Sequence, residues 1–429
     1  MLIEGEFFYR SGVLTCEGVD LPTVAAEYGT PSYVYSQKAI LSRFAEYKDA
    51  LNGIPSRVCF AVKANSNLAV LSLLARAGAG FDIVSGGELY RVLAAGADAG
   101  SVVFSGVGKT EEEIRFALEE GIHSFNCESE WELEQISKIA VALGRTATIA
   151  IRVNPDVNAS THPYISTGLR EHKFGIDMRE AERIYVHAMK LKGIRPEGVS
   201  CHIGSQLLDM GPLLEAADKV VALVERLRAF GVNIRFLDLG GGVGVRYRPT
   251  DNVVSVGEFI SRLRSKIEPL GVTLMLEPGR SIIAEAGALL CRVILMKQNG
   301  EKQFVIVDAG MNDLIRPSLY GAHHEIVPVR QISGRKQIEA DIVGPVCETG
   351  DFFARHRLIA DVQPGDLLAI QTAGAYGFVL SSNYNSRPRA CELLVADNQV
   401  RVIRKRENYE DLIRGESTLI DEPCCEHDK

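Results

Sequence analysis

The stretch RVCFAVKANSNLAVLSLLARAGAGFDIV, residues 57–84, sets the architecture. It opens with an apolar run over residues 57–64 that is the length of a β-strand. Residues 68–77 then carry apolar side chains at helical spacing, and residues 80–84 form a second apolar run. Strand, helix and strand within so few residues make one βα repeat. The rhythm continues. Further strands are predicted at 102–105, 123–126, 147–153, 198–203, 236–239 and 273–276. Helices are predicted at 87–95, 110–119, 129–143, 179–190, 211–230 and 256–270. In the 211–230 segment, Leu213, Ala217, Val220, Val221, Val224 and Leu227 share one helical face. Thr110-Glu111-Glu112-Glu113 opens its helix with a capping-box pattern. Eight such strands over roughly 220 residues are the count and size of a closed parallel (β/α)8 barrel. An open doubly wound sheet would need a glycine-rich turn after its first strand, and none follows residue 64.

After Arg280 the pattern changes to strand-like runs at 289–296, 303–308, 325–330, 338–343 and 367–372. Asn299-Gly300 supplies a hairpin turn. The first 35 residues also read as short strands around turns. The fold class is therefore α/β: a (β/α)8 TIM-like barrel plus an antiparallel β-domain built from both chain termini. The expected division is residues 1–35 joining the β-domain, 36–283 as barrel and 284–429 as β-domain. The polar tail from about residue 406 is expected to fray.

Hydrophobic residues make up 46% of the 429 and charged residues 24%, an ordinary globular balance. The net charge of -8 and the lack of a Lys/Arg run argue against a nucleic-acid partner. No apolar stretch is long enough to span a bilayer, and residues 1–6 do not resemble a signal peptide. The nine cysteines are scattered, with Cys424-Cys425 the one adjacent pair, and show no zinc-ligand spacing. Reduced thiols in a cytoplasm are the expectation, with no metal.

In a barrel of this type, chemistry collects where the strands end. The first strand ends at Lys63, the second at Ser85-Gly86-Gly87-Glu88 after Asp82, and the fifth at Arg152. The sixth ends in His202-Ile203-Gly204-Ser205-Gln206, the seventh in Gly240-Gly241-Gly242 and the eighth in Glu277-Pro278-Gly279-Arg280. A lysine amine can condense with an aldehyde, and a partly buried site is expected to lower its pKa toward the reactive neutral form. Taken alone, Lys63 reads equally well as a surface lysine at a strand end. Three glycines allow backbone N–H groups to approach a phosphate closely, although a flexible turn gives the same sequence. Gly279 and Arg280 can complete that cradle. Glu277 can face a ring nitrogen, and His202 can stack on a ring or simply be a bonded interior histidine. Lysine, phosphate nest and carboxylate together describe a pyridoxal-phosphate site. Asp82 is grouped with these cofactor-contacting residues.

The motifs Phe60-Ala61-Val62-Lys63-Ala64-Asn65, His202-Ile203-Gly204-Ser205-Gln206, Gly240-Gly241-Gly242 and Glu277-Pro278-Gly279-Arg280 resemble those of the fold-type III pyridoxal-phosphate decarboxylases. Gly29-Thr30-Pro31 and Cys347-Glu348-Thr349-Gly350-Asp351 extend the likeness over nearly the whole chain. The resemblance implies that Lys63 bonds the cofactor, Glu277 pairs with the pyridine nitrogen and His202 stacks on the ring. It places Ser205, Gly240, Gly241, Gly242, Gly279 and Arg280 around the phosphate. Tyr376 would touch cofactor and substrate. Cys347 and Glu348 would enter from a second subunit of a homodimer. Cys347 is then the first candidate to return a proton to Cα, with Lys63 second.

Relatives that act on ornithine or arginine must hold a distal cation. Here Arg316-Pro317-Ser318-Leu319-Tyr320 offers an arginine instead. Arg280, Arg316 and Tyr320 suit a distal carboxylate, and Glu348 suits the ammonium beside it. A substrate with an amino-acid group at each end, such as meso-2,6-diaminopimelate, fits this set, with L-lysine and carbon dioxide as products of a last biosynthetic step. Three rival readings stay open: a decarboxylase for another diamino acid, an alanine-racemase-like enzyme, and a non-catalytic cofactor-binding protein. The loop 161–175, with His162, is a candidate to close over the substrate.

Overall fold

A computed structural model of the chain describes residues 6–157, 173–331 and 333–419. Most of the 161–175 loop, including His162, and the Cys424-Cys425 pair lie outside the described residues. Eight parallel strands close on themselves: Ser56–Ala61, Gly80–Ile83, Val102–Phe104, Ser124–Cys127, Ala147–Asn154, Ile194–Ser200, Phe236–Asp238 and Thr273–Leu276. The last pairs with the first through Leu276 opposite Val58, which completes the ring. The two-residue strand Ile176–Asp177 adds to the upper end of the fifth.

Polar caps begin the helices between these strands. Asn67, Ser85, Thr110, Ser129, Asp177 and Ser255 each accept a backbone N–H in the first turn. The Thr110/Glu113 capping box is present in full. Helix Gly211–Ala229 buries Leu213, Ala217, Val220, Val224 and Leu227 against the barrel, as its spacing predicts.

The barrel interior follows the period-two alternation of strands. Cys59, Val103, Ala150, Phe236 and Met275 form one apolar layer that plugs the barrel. Gly198 carries no side chain because the ring of Phe236 fills its place: a Cβ there would lie 2.1 Å from that ring. Two residues further along the same strands stand Ser105, Arg152, Asp238 and Glu277. The plug is thus the floor beneath a polar layer.

The second body is a sheet in which Phe352–Ala360, Gln337–Val343, Lys302–Val307, Gly287–Asn299, Ser32–Ser36, Cys391–Ala396 and Gln399–Arg404 lie side by side. Ile326–Pro328 and Leu367–Ile370 join it through Gly287–Asn299. Two details refine the expected β-domain. The sheet is not wholly antiparallel, because Ser32–Ser36 pairs in parallel with Cys391–Ala396, and Lys302–Val307 with Gln337–Val343. Nor does the whole N-terminal segment enter it. Phe7–Arg10, Val13–Cys16 and Val19–Asp20 form a separate three-stranded meander, tied on by Leu14 N donating to Val329 O at 2.8 Å. The apolar run Ser32–Ser36 alone is buried at all five positions, so it can lie inside the larger sheet.

Candidate active site

Lys63 does not end a strand. The strand stops at Ala61, and Val62–Ala64 form a turn of 3₁₀ helix that lifts the half-buried amine over the barrel mouth. Its Nζ donates to Asp82 Oδ2 at 2.8 Å. Burial disfavours the ammonium, but Asp82 outweighs it, helped by Tyr376 and Glu277, so the amine titrates above an ordinary lysine. The expected lowering is therefore not found: the carboxylate partner, which belongs to the neighbouring strand, reverses it.

Under the barrel mouth, Asn126 Nδ2 donates to Asp238 Oδ2 at 2.9 Å and to Glu277 Oε1 at 3.3 Å. Burial first, then the nearby Asp238 and Asp82, push the Glu277 carboxyl well above the usual carboxylate range. Asp238 is raised as well, chiefly by burial. Two carboxyls in one dry layer cannot both ionise without a cation, so Glu277 keeps the proton. Asp82 Oδ1 and Asn126 Oδ1 are buried with no hydrogen-bond partner. A cationic ring N–H held above this layer would supply the missing charge.

His202 accepts from Gly241 N at its Nδ1, 3.2 Å away. Burial, with Arg152 and Lys63 adding, holds the imidazole well below its ordinary pKa, so it offers a neutral face. The neighbouring Arg152 donates to Glu128 at 2.7 Å. The glycine triplet is packed to its limit. A Cβ on Gly240 would meet Cys201 O at 2.7 Å, one on Gly241 would meet Glu277 O at 2.3 Å, and one on Gly242 would meet Gly204 O at 2.7 Å. Gly240 and Gly242 also sit at φ +66° and +111°, which side chains disfavour. Arg280 Nε donates to Ser205 Oγ at 3.2 Å beside this turn. Backbone amides, a hydroxyl and a buried guanidinium can receive a phosphate here, and with Glu277 and Lys63 at the same barrel mouth these residues fit pyridoxal phosphate.

The β-domain closes one side. Tyr376, at φ +54°, donates its backbone N–H to Ala64 O at 2.8 Å, and Asn65 Nδ2 donates to Gly374 O at 3.2 Å. The Arg280 guanidinium lies 4.8 Å from the Tyr376 ring centre. Arg316, which begins the short helix Arg316–Tyr320, shares with Arg280 and Tyr320 a cavity of about 240 Å³. Burial lowers the Arg316 pKa, and Arg280 lowers it further. Two buried guanidinium groups in one small space call for an anion.

Three contributors escaped the sequence reading. Asp238, two residues before the triplet, shares the proton-bearing layer with Glu277. Tyr247 Oη accepts from Arg280 at 2.6 Å; the run Arg246-Tyr247-Arg248 was its signal. His324 Nε2 accepts from Arg316 Nε at 3.3 Å while Nδ1 donates to Gln371 O at 2.9 Å. The adjacent pair His323-His324 marked that site. Cys347 and Glu348 are not brought to Lys63 within one chain. They sit on an exposed turn where Cys347 N donates to Asn385 Oδ1 at 2.7 Å.

A family model described as "Pyridoxal-dependent decarboxylase, pyridoxal binding domain" matches residues 37–284. The chain is 54% identical to the diaminopimelate decarboxylase of Pseudomonas aeruginosa over 413 residues, 96% of this chain and 99% of that protein. A crystal structure of the Helicobacter pylori diaminopimelate decarboxylase complexed with L-lysine is 46% identical, with a TM-score of 0.89 over 92% of this chain and 98% of that one. The M. jannaschii diaminopimelate decarboxylase, in co-complex with L-lysine, is 37% identical, with a TM-score of 0.91 over 96% and 98%.

Proposed function

The chain belongs to the pyridoxal-dependent decarboxylases and, within them, to the diaminopimelate decarboxylases, and from that premise we infer that it removes one carboxylate of meso-2,6-diaminopimelate, at the D-centre, to give L-lysine and carbon dioxide. The observation that carries the substrate is the cavity shared by Arg280, Arg316, Tyr247 and Tyr320. A distal ammonium would be repelled there, whereas a distal carboxylate is held by two guanidinium groups.

Bound at Lys63, pyridoxal phosphate supplies an electron-withdrawing ring that takes up the electron pair of the broken Cα–carboxylate bond. The protein's own groups do the rest. Gly240, Gly241, Gly242, Gly279, Ser205 and Arg280 seat the phosphate. His202 presents its uncharged face to the ring. Glu277 would hold the ring nitrogen by giving it the proton its raised carboxyl carries and pairing with the resulting N–H. Asp82 holds the Lys63 ammonium in place and is the nearest acceptor when that amine must lose a proton. Tyr376 reaches in from the β-domain. Cys347 and Glu348 belong to a second subunit of a homodimer: their exposure, with hydrogen bonds to Thr349, Gly350 and Asn385 and, among the described residues, none to the barrel, supports a role across an interface. There Cys347 returns the proton to Cα, with Lys63 as the alternative, and Glu348 meets the distal ammonium. Among the described residues no helix is long and apolar enough to cross a membrane. Among the described residues seven cysteines are unpaired and six of them buried, which supports a reducing compartment such as the cytoplasm.

The test is to incubate the purified protein with pyridoxal phosphate and meso-diaminopimelate, then assay lysine and carbon dioxide. Borohydride reduction before digestion should leave the cofactor on the Lys63 peptide. No lysine, or a label on another residue, overturns the assignment.

A further inference from the structure

At the opposite end of the barrel from Lys63 the interior opens again. One rung below the apolar plug, the alternation brings Arg57, Thr148 and Thr273 to the inner surface of strands one, five and eight. These line a cavity of about 550 Å³ roofed by Phe236 and Met275. Arg145, Arg195 and Arg235 reach it from the starts of strands five, six and seven, and His123 from the fourth. The lower end of such a barrel is ordinarily a packing surface. Here it gathers four arginines.

We propose that this cavity is a second binding site, for a small multivalent oxyanion. Its charge is the first support. Glu197 is the one carboxylate lining it and lies 3.5 Å from Arg235. Arg57, Arg145 and Arg195 have no carboxylate partner among the described residues. Arg57 donates to Gly100 O at 2.9 Å and Arg195 to Thr148 Oγ1 at 2.9 Å, and each guanidinium keeps further donors. Four guanidinium groups less one carboxylate leave three positive charges, in a chain whose net charge is -8.

Contrast with the rest of the surface is the second support. Most exposed arginines on the helices are laced to acids, as in Arg183–Glu130, Arg262–Glu258 and Arg264–Glu268, Arg228 on a backbone carbonyl being an exception. A patch meant only for solubility needs no arginine on the inner barrel surface, as Arg57 is, with three more at the rim of the same cavity. His123 adds no charge, since burial and Arg57 push its pKa down to about 4; its ring and that of Phe236 lie 5.3 Å apart. The pocket thus offers planar forks for phosphate or carboxylate oxygens beside an apolar roof. A single concavity suits a compact anion and not an extended polyanion. The apolar plug separates it from the residues at the barrel mouth.

The experiment is calorimetric titration of the full-length, cofactor-loaded protein with inorganic pyrophosphate and, separately, citrate. Saturable binding at one site per chain is expected for at least one probe, weakening as salt is raised. Pyrophosphate alone points to a phosphate ester as the natural ligand, citrate alone to a polycarboxylate, and either supports the site. The exposed pair Arg145→Gln with Arg195→Gln should weaken binding about tenfold or more, with an unchanged melting temperature and lysine production. Saturation by neither probe, or equal binding by this variant, overturns the proposal.

Discussion

Arg316→Ala separates a built carboxylate site from a merely buried arginine. Arg316 is 5% exposed and shares its small cavity with Arg280. Its Nε is engaged by His324, which leaves its terminal nitrogens for a ligand. Two charge-assisted bonds to a distal carboxylate contribute about 1.5–3 kcal/mol each. Relief of the Arg280 repulsion offsets part of their loss. The net cost to substrate recognition is therefore about 3–5 kcal/mol, roughly 10²- to 10⁴-fold in kcat/KM. Most of it should appear as a higher KM, because the distal carboxylate is held equally before and during bond breaking. The free protein should melt no lower than the parent, since a buried like-charge contact has been removed. The assay is lysine formation over a range of diaminopimelate concentrations, beside a thermal melt. Arg316→Lys, which keeps charge but loses the fork, should fall between parent and alanine variant. A KM within about twofold of the parent, or an equal fall in stability and activity, refutes the reasoning.

Gly241→Ala forces a Cβ to within 2.3 Å of Glu277 O, so the cradle must shift; pyridoxal-phosphate affinity should drop by about 1–3 kcal/mol, or roughly 5- to 100-fold, in an absorbance titration. If Cys347 acts across a dimer, Lys63→Ala and Cys347→Ala are each inactive alone, yet their equal mixture after subunit exchange should regain about one quarter of parental activity; no recovery would place both residues in one chain's site, and an active Cys347→Ala variant would remove Cys347 from the reaction. Burial, reinforced by Arg316, lowers the His324 pKa to about 3, against about 6.5 unfolded. The unfolded chain therefore takes up a proton that the folded one refuses, and stability falls as pH drops from about 6.5 toward 3, by about 2 kcal/mol at pH 5. His324→Gln should flatten that part of a urea-denaturation pH series, and an unchanged slope contradicts the assignment.

Much of the barrel was legible because its signals are local. The final strand, Thr273–Leu276, matches its predicted bounds, and the helix starts follow polar caps that stand one residue before them. The β-domain was less so. Phe352–Ala360 carries Arg355, His356 and Arg357 in its middle, and Gln399–Arg404 is charged and largely exposed, so neither shows an apolar strand run. Within the site, Lys63, Glu277 and the glycine triplet could be found because each follows within two residues of a barrel strand. Tyr247 and His324 carried only weak local signals: one follows a loop and the other precedes a strand, and nothing in sequence relates the two. They meet, ring centres 5.3 Å apart, only once the β-domain packs on the barrel.

The order of residues along this chain determined where strands and helices form and which chemistry-bearing side chains stand at strand ends, because period, capping and turn preference act over a few residues. Charge state was decided only by the tertiary structure. Asp82 opposes the burial of Lys63 from the next strand, burial and then Asp238 on the adjacent strand raise the Glu277 carboxyl, and Arg280 and Arg316 come from different bodies to line one cavity. Desolvation and Coulomb interaction depend on distances between residues far apart in the chain, and folding alone sets those distances.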